Sequence, residues 1–469
     1  MATIESMQYH LQSSLCRVLS VVWVSDKNST IARIKQKYGV ALTNKYFKTR
    51  MSNKYIVSVP FENIKLPGKE TASVNFTNFA ETFAYLCEDG YTLEEYKWLP
   101  YSRQAHDIAM SLLFENICAE ENKSIGNFDY RKYSERLKSL IDNEVPVSYE
   151  ATENTPHCVT VGKQKGGKLK IAIANVNTNM VSDMKNNLLN KKPNRTYVRY
   201  RTLKEIVNSA IKEKVDMLVL PENYIPLEWL SVLASTVARE NLSIIAGVEH
   251  VVVRKHKKVY NYTAVLLPFK YYKTVPTSAM FFQLKKHYSP SEISLIEGYG
   301  LDLPHYDESM KYIRPLYQWK DCYFPVYCCF ELASIADRAE FMSWADMLVA
   351  VECNRDTNYF GNIVEALTRD LHCYCVQVNT SDYGDCRITQ PKKTEELNLV
   401  QVKGGINSTL LVGEINIAAL REFQVKEDAL QLSDKTPSHL LFKPTPPGFN
   451  RTITHEKILK TQSETDGTR

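Results

Sequence analysis

Residues 217–222 read Met217-Leu218-Val219-Leu220-Pro221-Glu222. An apolar run closed by a proline is the pattern of a strand buried on both faces, and it delivers the carboxylate at its C-terminal end. Just upstream, Leu203, Ile206, Val207, Ala210 and Ile211 recur at helical spacing over Leu203–Val215. They form the single apolar face that a helix packed on a sheet requires. Working outward, Ile171–Val176 is another short apolar run and Leu227–Asn241 another helix. Ile244–Val253 and Tyr262–Leu267 are strands joined by a basic turn at Lys255–Lys258, a hairpin that makes the sheet mixed. Strands at Phe324–Cys329, Met347–Val351 and Cys373–Val378, with a helix near Asn362–Leu371, continue the alternation. Interleaved strands and helices predict an α/β fold.

The chain has 469 residues, more than one ordinary core of about 100 to 200 residues holds, so two domains are expected. Hydrophobic residues make up 44% and charged residues 24%, the balance of a globular protein with a sizeable core. The 58 basic and 53 acidic residues are mixed along the chain, so no single-sign stripe marks a phosphate track and nucleic-acid binding is not indicated. Eleven cysteines without framework spacing read as reduced thiols. No leader pattern shows and no run approaches the roughly 20 apolar residues of a spanning helix, so a cytoplasmic location away from membranes is expected.

Residues 1–160 form a smaller, helix-biased mixed domain of unknown role. Helices are predicted at Arg103–Glu121 and Tyr130–Ile141, with a short strand around Tyr55–Val59. A linker rich in Thr, Gly and Lys runs from about Glu150 to Lys168. The second domain spans residues 166–430. A C-terminal extension, 431–469, ends in a polar tail beyond Pro446 and Pro447 that is expected to be disordered.

Three motifs carry chemistry. Pro221-Glu222 places a carboxylate beyond a strand end, where ligands gather in open α/β sheets. Phe281-Phe282-Gln283-Leu284-Lys285 ends an apolar stretch in a lysine, able to supply a fixed positive charge to a developing oxyanion, with His287 and Glu292 downstream. Phe324-Pro325-Val326-Tyr327-Cys328-Cys329-Phe330-Glu331 runs a strand into two thiols, then an aromatic and an acid. A thiol opening a turn is exposed while neighbouring N–H groups can donate. Taken singly, each has a bland reading: a turn glutamate, a solvated lysine pair, a buried inert cysteine. Clustered Cys322, Cys328 and Cys329, and the pair Cys373 and Cys375, lack the spacing of a structural zinc site, so no metal is expected.

Together, in this order, the motifs resemble the nitrilase superfamily of carbon–nitrogen hydrolases. Pro221-Glu222 matches its first motif, Lys285 with His287 and Glu292 its second, and Cys329-Phe330-Glu331 its third. The resemblance covers Lys168 to about Gln424, and Ala345–Leu348, Glu365 to Arg369 and Val376–Ser381 extend it downstream. It implies an αββα sandwich in which Glu222, Lys285 and Cys329 are catalytic, Glu292 supports the lysine, and the backbone N–H of Phe330 joins Lys285 in holding an oxyanion. Cys329 is preferred to Cys328 because only Cys329 has the aromatic next and the acid two on; Lys285 is preferred to Lys286 because His287 lies two residues later. After the acid, Leu332, Ala333, Ser334 and Ile335 depart from the family pattern, and the polar Asn354, Arg355 and Asp356 hint at a polar or charged substrate.

The implied activity is hydrolysis of a small-molecule amide, nitrile or carbamoyl compound through a cysteine thioester, without cofactor or metal, in a homo-oligomer. Two other readings share the fold: an acyltransferase using the same thioester, and a non-catalytic interaction scaffold. The resemblance also extends to nitrilase-like domains attached to bacterial antiviral reverse transcriptases, although residues 1–160 show no paired-aspartate polymerase motif.

Overall fold

The computed structural model describes residues 147–466, apart from 153–154, 163–165, 254–256, 272–274 and 305–313, together with three short strands earlier in the chain. The chain divides into two compact units, one of residues 1–145, 227–239 and 270–281, the other of residues 146–226, 240–269 and 282–469. In the first, Val59–Pro60 pairs antiparallel with Asn75–Phe76, and Leu99–Tyr101 with Ser278–Met280. The helices predicted at Arg103–Glu121 and Tyr130–Ile141 lie outside the described residues.

The second unit is mixed α/β. Its central strand, Met217–Ile225, is buried at every position; the apolar run Met217–Leu220 predicts its first part, and it continues through Pro221, Glu222 and Asn223 beyond the expected end. It pairs parallel with Lys168–Asn175 and with Ser243–Val248. Thr409–Asn416 and Tyr262–Tyr271 flank this trio antiparallel. The predicted hairpin is present, but the expected strand Ile244–Val253 breaks at Glu249 and His250 into Ser243–Val248 and Val251–Val253. Both residues turn their side chains to polar partners, Glu249 to the amide of half-buried Asn194 and His250 to buried Asn223.

A second sheet contains Val326–Cys328, Met347–Val351 and Tyr374–Val378 in parallel, followed by antiparallel Cys386–Thr389 and Asn398–Val402. Its strands Met347–Val351 and Tyr374–Val378 pack on Met217–Ile225 of the first sheet. The helix Thr357–Asp370 covers Tyr374–Val378, with Phe360, Ile363, Val364 and Leu367 in one core with Tyr327, Leu348 and Ala350. Asp356 caps that helix by accepting from the Tyr359 amide at 3.2 Å, Asn354 exchanges hydrogen bonds with Asn379, and Arg355 donates to the Tyr383 hydroxyl. The polar segment read as a substrate signal thus has local structural partners.

Two expectations are corrected. The stretch read as a linker contains a strand, Thr155–Val161, paired antiparallel with Val147–Thr152 and parallel with Leu316–Trp319. The β-branched run Val159-Thr160-Val161 outweighs the glycines, which act only afterwards: Gly162 and Gly167 take φ of 67° and 130°. The polar tail expected to be disordered is a helix, Arg451–Asp466. Its Lys457 is buried and donates to Asp346 at 3.0 Å, and its Thr461 donates to Asp321 at 2.9 Å. Polar side chains there satisfy buried charges, which composition alone cannot show. No helix among the described residues is long and apolar enough to cross a membrane.

Asp346 also binds Arg421 at 2.7 Å. Burial opposes its charge, but Arg421 and then Lys457 outweigh burial and hold the carboxyl at about 2. A carboxyl depressed on folding contributes stability that is present above its unfolded value and lost as pH falls through the folded one. Asp346→Asn, which takes the carboxylate from buried Lys457 and leaves Arg421 with Asp321 alone, should therefore cost about 3–5 kcal/mol in urea unfolding at pH 7. The gap between variant and wild type should narrow as the pH is taken from 4 toward 2.

Candidate active site

Glu222 lies within the strand Met217–Ile225 and is 2% exposed. Its backbone is crowded: a Cβ at residue 247 would stand 2.3 Å from the Glu222 Cα, so only glycine fits on the neighbouring strand. The Glu222 Oε1 accepts three donors, Asn261 Nδ2 at 2.8 Å, Lys285 Nζ at 2.9 Å and Cys328 Sγ at 3.2 Å.

Lys285 follows the strand Val275–Leu284, and its ammonium is 1% exposed. Its second carboxylate partner is Glu292, at 2.7 Å. Burial works against the ammonium, but Glu222 and then Glu292 outweigh it and hold Lys285 well above the ordinary lysine range. Glu292 sits in the first turn of the helix Pro290–Gly298, capped by Ser289. Burial would raise its carboxyl; Lys285 first, then His250 at 3.7 Å, bring it down to about 2. The Lys286 backbone N–H donates to Glu331 at 2.8 Å. His287 pairs with Asp337 at 3.0 Å and is 40% exposed, so it is a surface partner and not part of the buried cluster.

The thiol in hydrogen-bond contact with Glu222 is Cys328, the residue not preferred from sequence. The reason is geometric. Cys328 is the last residue of the strand Val326–Cys328 and turns its side chain toward Glu222, whereas Cys329 opens the following turn with a left-handed φ of 48°. Such a conformation is strained for a residue with a Cβ, and strain of this kind collects at functional turns. Burial, then Glu222, push the Cys329 thiol well above its usual value, while Lys285 draws it down; Cys328 responds in the same way. Both thiols therefore share the field of one carboxylate and one ammonium. Phe330 is the second residue of the turn Cys329–Ala333 and packs on the core that holds Tyr327 and Leu332.

Glu331, quoted from sequence only as part of a motif, clamps the site. One oxygen accepts the Lys286 amide and the other the Cys328 amide, each at 2.8 Å, and Arg314 pairs with it at 3.0 Å. The lysine loop and the cysteine turn are thereby tied to one fully buried side chain. Asn261 went unrecognised because a lone asparagine before a strand carries no signal; its role comes from the accident of placement, its carbonyl accepting the Lys285 amide at 2.8 Å while its side chain meets Glu222.

No family model matches the sequence, and no curated protein matches it. Solved structures do. A mutant of the amidase from Nesterenkonia sp. AN1, with the acetamide moiety of fluoroacetamide added covalently at its active-site cysteine, is similar at 12% identity and a TM-score of 0.38, over 55% of this chain and 94% of that one. A further mutant of the same amidase, from the nitrilase superfamily, is similar at 13% identity and a TM-score of 0.36, over 58% and 99% of the two chains.

Lys285→Met keeps the side-chain length and removes the charge that two buried carboxylates share. It should lower unfolding stability by about 3–5 kcal/mol, read from the urea midpoint at pH 7. Glu292→Gln, which leaves the Glu222 pair in place, should cost less than half as much.

Proposed function

We propose that the second unit is a nitrilase-type αββα sandwich and a hydrolase of non-peptide carbon–nitrogen bonds, acting through a thioester on Cys329. The observation that carries this reading is a buried carboxylate, ammonium and thiol drawn together from three separate strands, with Glu222 2.9 Å from Lys285 and 3.2 Å from the sulfur of Cys328, the residue before the proposed nucleophile. An ion pair of this kind is costly to bury and has a clear chemical use beside a nucleophile. The motif order Glu222, Lys285, Cys329 resembles that of the nitrilase superfamily.

In the resting site the raised Cys329 pKa keeps the sulfur protonated. Glu222 takes that proton as the sulfur attacks the amide or nitrile carbon. Its Oε1 is filled by the three donors described above, so we assign the proton to Oε2. Lys285 and the Phe330 N–H stabilise the oxygen or nitrogen that gains charge, a contribution of about 3 kcal/mol per donor in comparable sites. Glu222 then gives the proton to the departing nitrogen, which leaves as amine or ammonia, a nitrile adduct first taking up one water that supplies the carbonyl oxygen, and later takes a proton from the water that cleaves the thioester. Glu292, ionised at any working pH, has no proton to give; it holds Lys285 charged.

Rapidly quenched intact-protein mass spectrometry over a panel of amides, nitriles, ureas and carbamoyl compounds tests this. A thiol-linked acyl adduct should form on wild type and on Cys328→Ala, and be absent from Cys329→Ala. An adduct that instead disappears only in Cys328→Ala transfers the nucleophile to that residue, and silence from all three proteins across the panel favours a scaffold over an enzyme. Glu222→Gln should slow adduct formation by 10² or more, the usual contribution of a positioned general base.

A further inference from the structure

Glu352 directly follows the strand Met347–Val351, and Cys329 directly follows Val326–Cys328. Those strands are parallel neighbours with Cys328 opposite Val351, so Glu352 and Cys329 are the next residues at adjacent strand ends. The Glu352 backbone also accepts the Glu222 amide at 3.3 Å. Glu352 therefore neighbours both the proposed nucleophile and its base, although no motif drew attention to it.

Its side chain is fully buried. Oε2 accepts Gln377 Nε2 at 2.9 Å, while Oε1 has no partner among the described residues. No cation bonds it. Arg387, whose positive charge acts on it, is engaged by Asp385 and by Glu365 at 3.0 Å. The other groups whose fields reach it are Glu222 and Asp385, both negative, and the thiols of Cys329 and Cys386. A carboxyl so enclosed is more stable neutral than charged.

We propose that Glu352 is a positioning residue of the Cys329 turn, a neutral acid whose proton keeps a second negative charge away from the sulfur and whose ionisation suppresses thiolate formation. Burial, opposed by the Gln377 hydrogen bond and reinforced by Glu222, places its carboxyl at about 8. The suppression therefore acts on the alkaline side: below pH 8 Glu352 is uncharged, and above it the new anion raises the neighbouring thiol further. The inference rests on Cys329 as the reactive thiol and not on any particular substrate.

The test is alkylation by iodoacetamide between pH 6 and 10, with Cys329 modification followed by peptide mass mapping. Wild type and Glu352→Gln should label equally at pH 6.5, and by pH 9.5 the variant should label about tenfold faster, the effect of one unit in thiol pKa. A purely structural role would change the rate by one factor at every pH, and that result overturns the proposal. Gln377→Leu provides an independent measurement should Glu352→Gln fold poorly. It removes the N–H that favours the charged carboxyl, so the pH at which wild-type labelling falls behind should move upward; an unmoved inflection also overturns the proposal. Alkylation needs no turnover, so a divergent pH profile in a protein that forms no acyl adduct would sustain the Glu352 role while rejecting the hydrolase.

Discussion

The buried ammonium of Lys285 is the constraint on which the site depends. Alone in an apolar interior it would lose its proton or reject the fold. With Glu222 at 2.9 Å and Glu292 at 2.7 Å it stays charged, and the two strands and the helix that carry these groups must close to within hydrogen-bond distance. The interaction is poor evidence for stability, because hydrocarbon of the same volume would pack there without the desolvation cost. Its value lies in a fixed positive charge, held in a water-poor site, beside two sulfurs.

Around that ion pair the structure spends its remaining polar groups on alignment. Glu331 joins the lysine loop to the cysteine turn through two backbone amides, and Gln283 adds a bond to the Val326 carbonyl at 2.7 Å. Gly247 lets the backbone of Glu222 lie against its neighbour. Asp346 does for the far end of the same strands what Lys285 does at the site, drawing Arg421 and the C-terminal helix onto the sheet. Opposite charges thus pin both ends of strands whose middles are held by apolar packing.

The two adjacent thiols show how much a single backbone angle decides. Cys328 and Cys329 have the same chemistry and nearly the same burial, yet one ends a strand and meets Glu222 while the other opens a left-handed turn. A side-chain period of two in the strand sends neighbours to opposite faces, and the positive φ then re-aims the second thiol relative to the first. Glu352, at the next strand end, acts on Cys329 beside Glu222 and Glu292.

The α/β alternation, the buried strand that carries Glu222 (though not its end at Ile225), and the strands leading to Lys285 and Cys329 were legible in the chain itself, because apolar periodicity and proline or glycine punctuation are local properties. The helical tail was missed because its polar residues pair with Asp346 and Asp321, more than a hundred positions away. Asn261, Glu331 as a clamp, and Glu352 were hidden for the same reason: a hydrogen bond or field between residues far apart in sequence leaves no pattern near either one. Sequence alone determined which residue types stand at which strand ends. Only the packing of one sheet on another decided which of them share a buried volume, because Coulomb and hydrogen-bond energies depend on distance in space and are indifferent to distance along the chain.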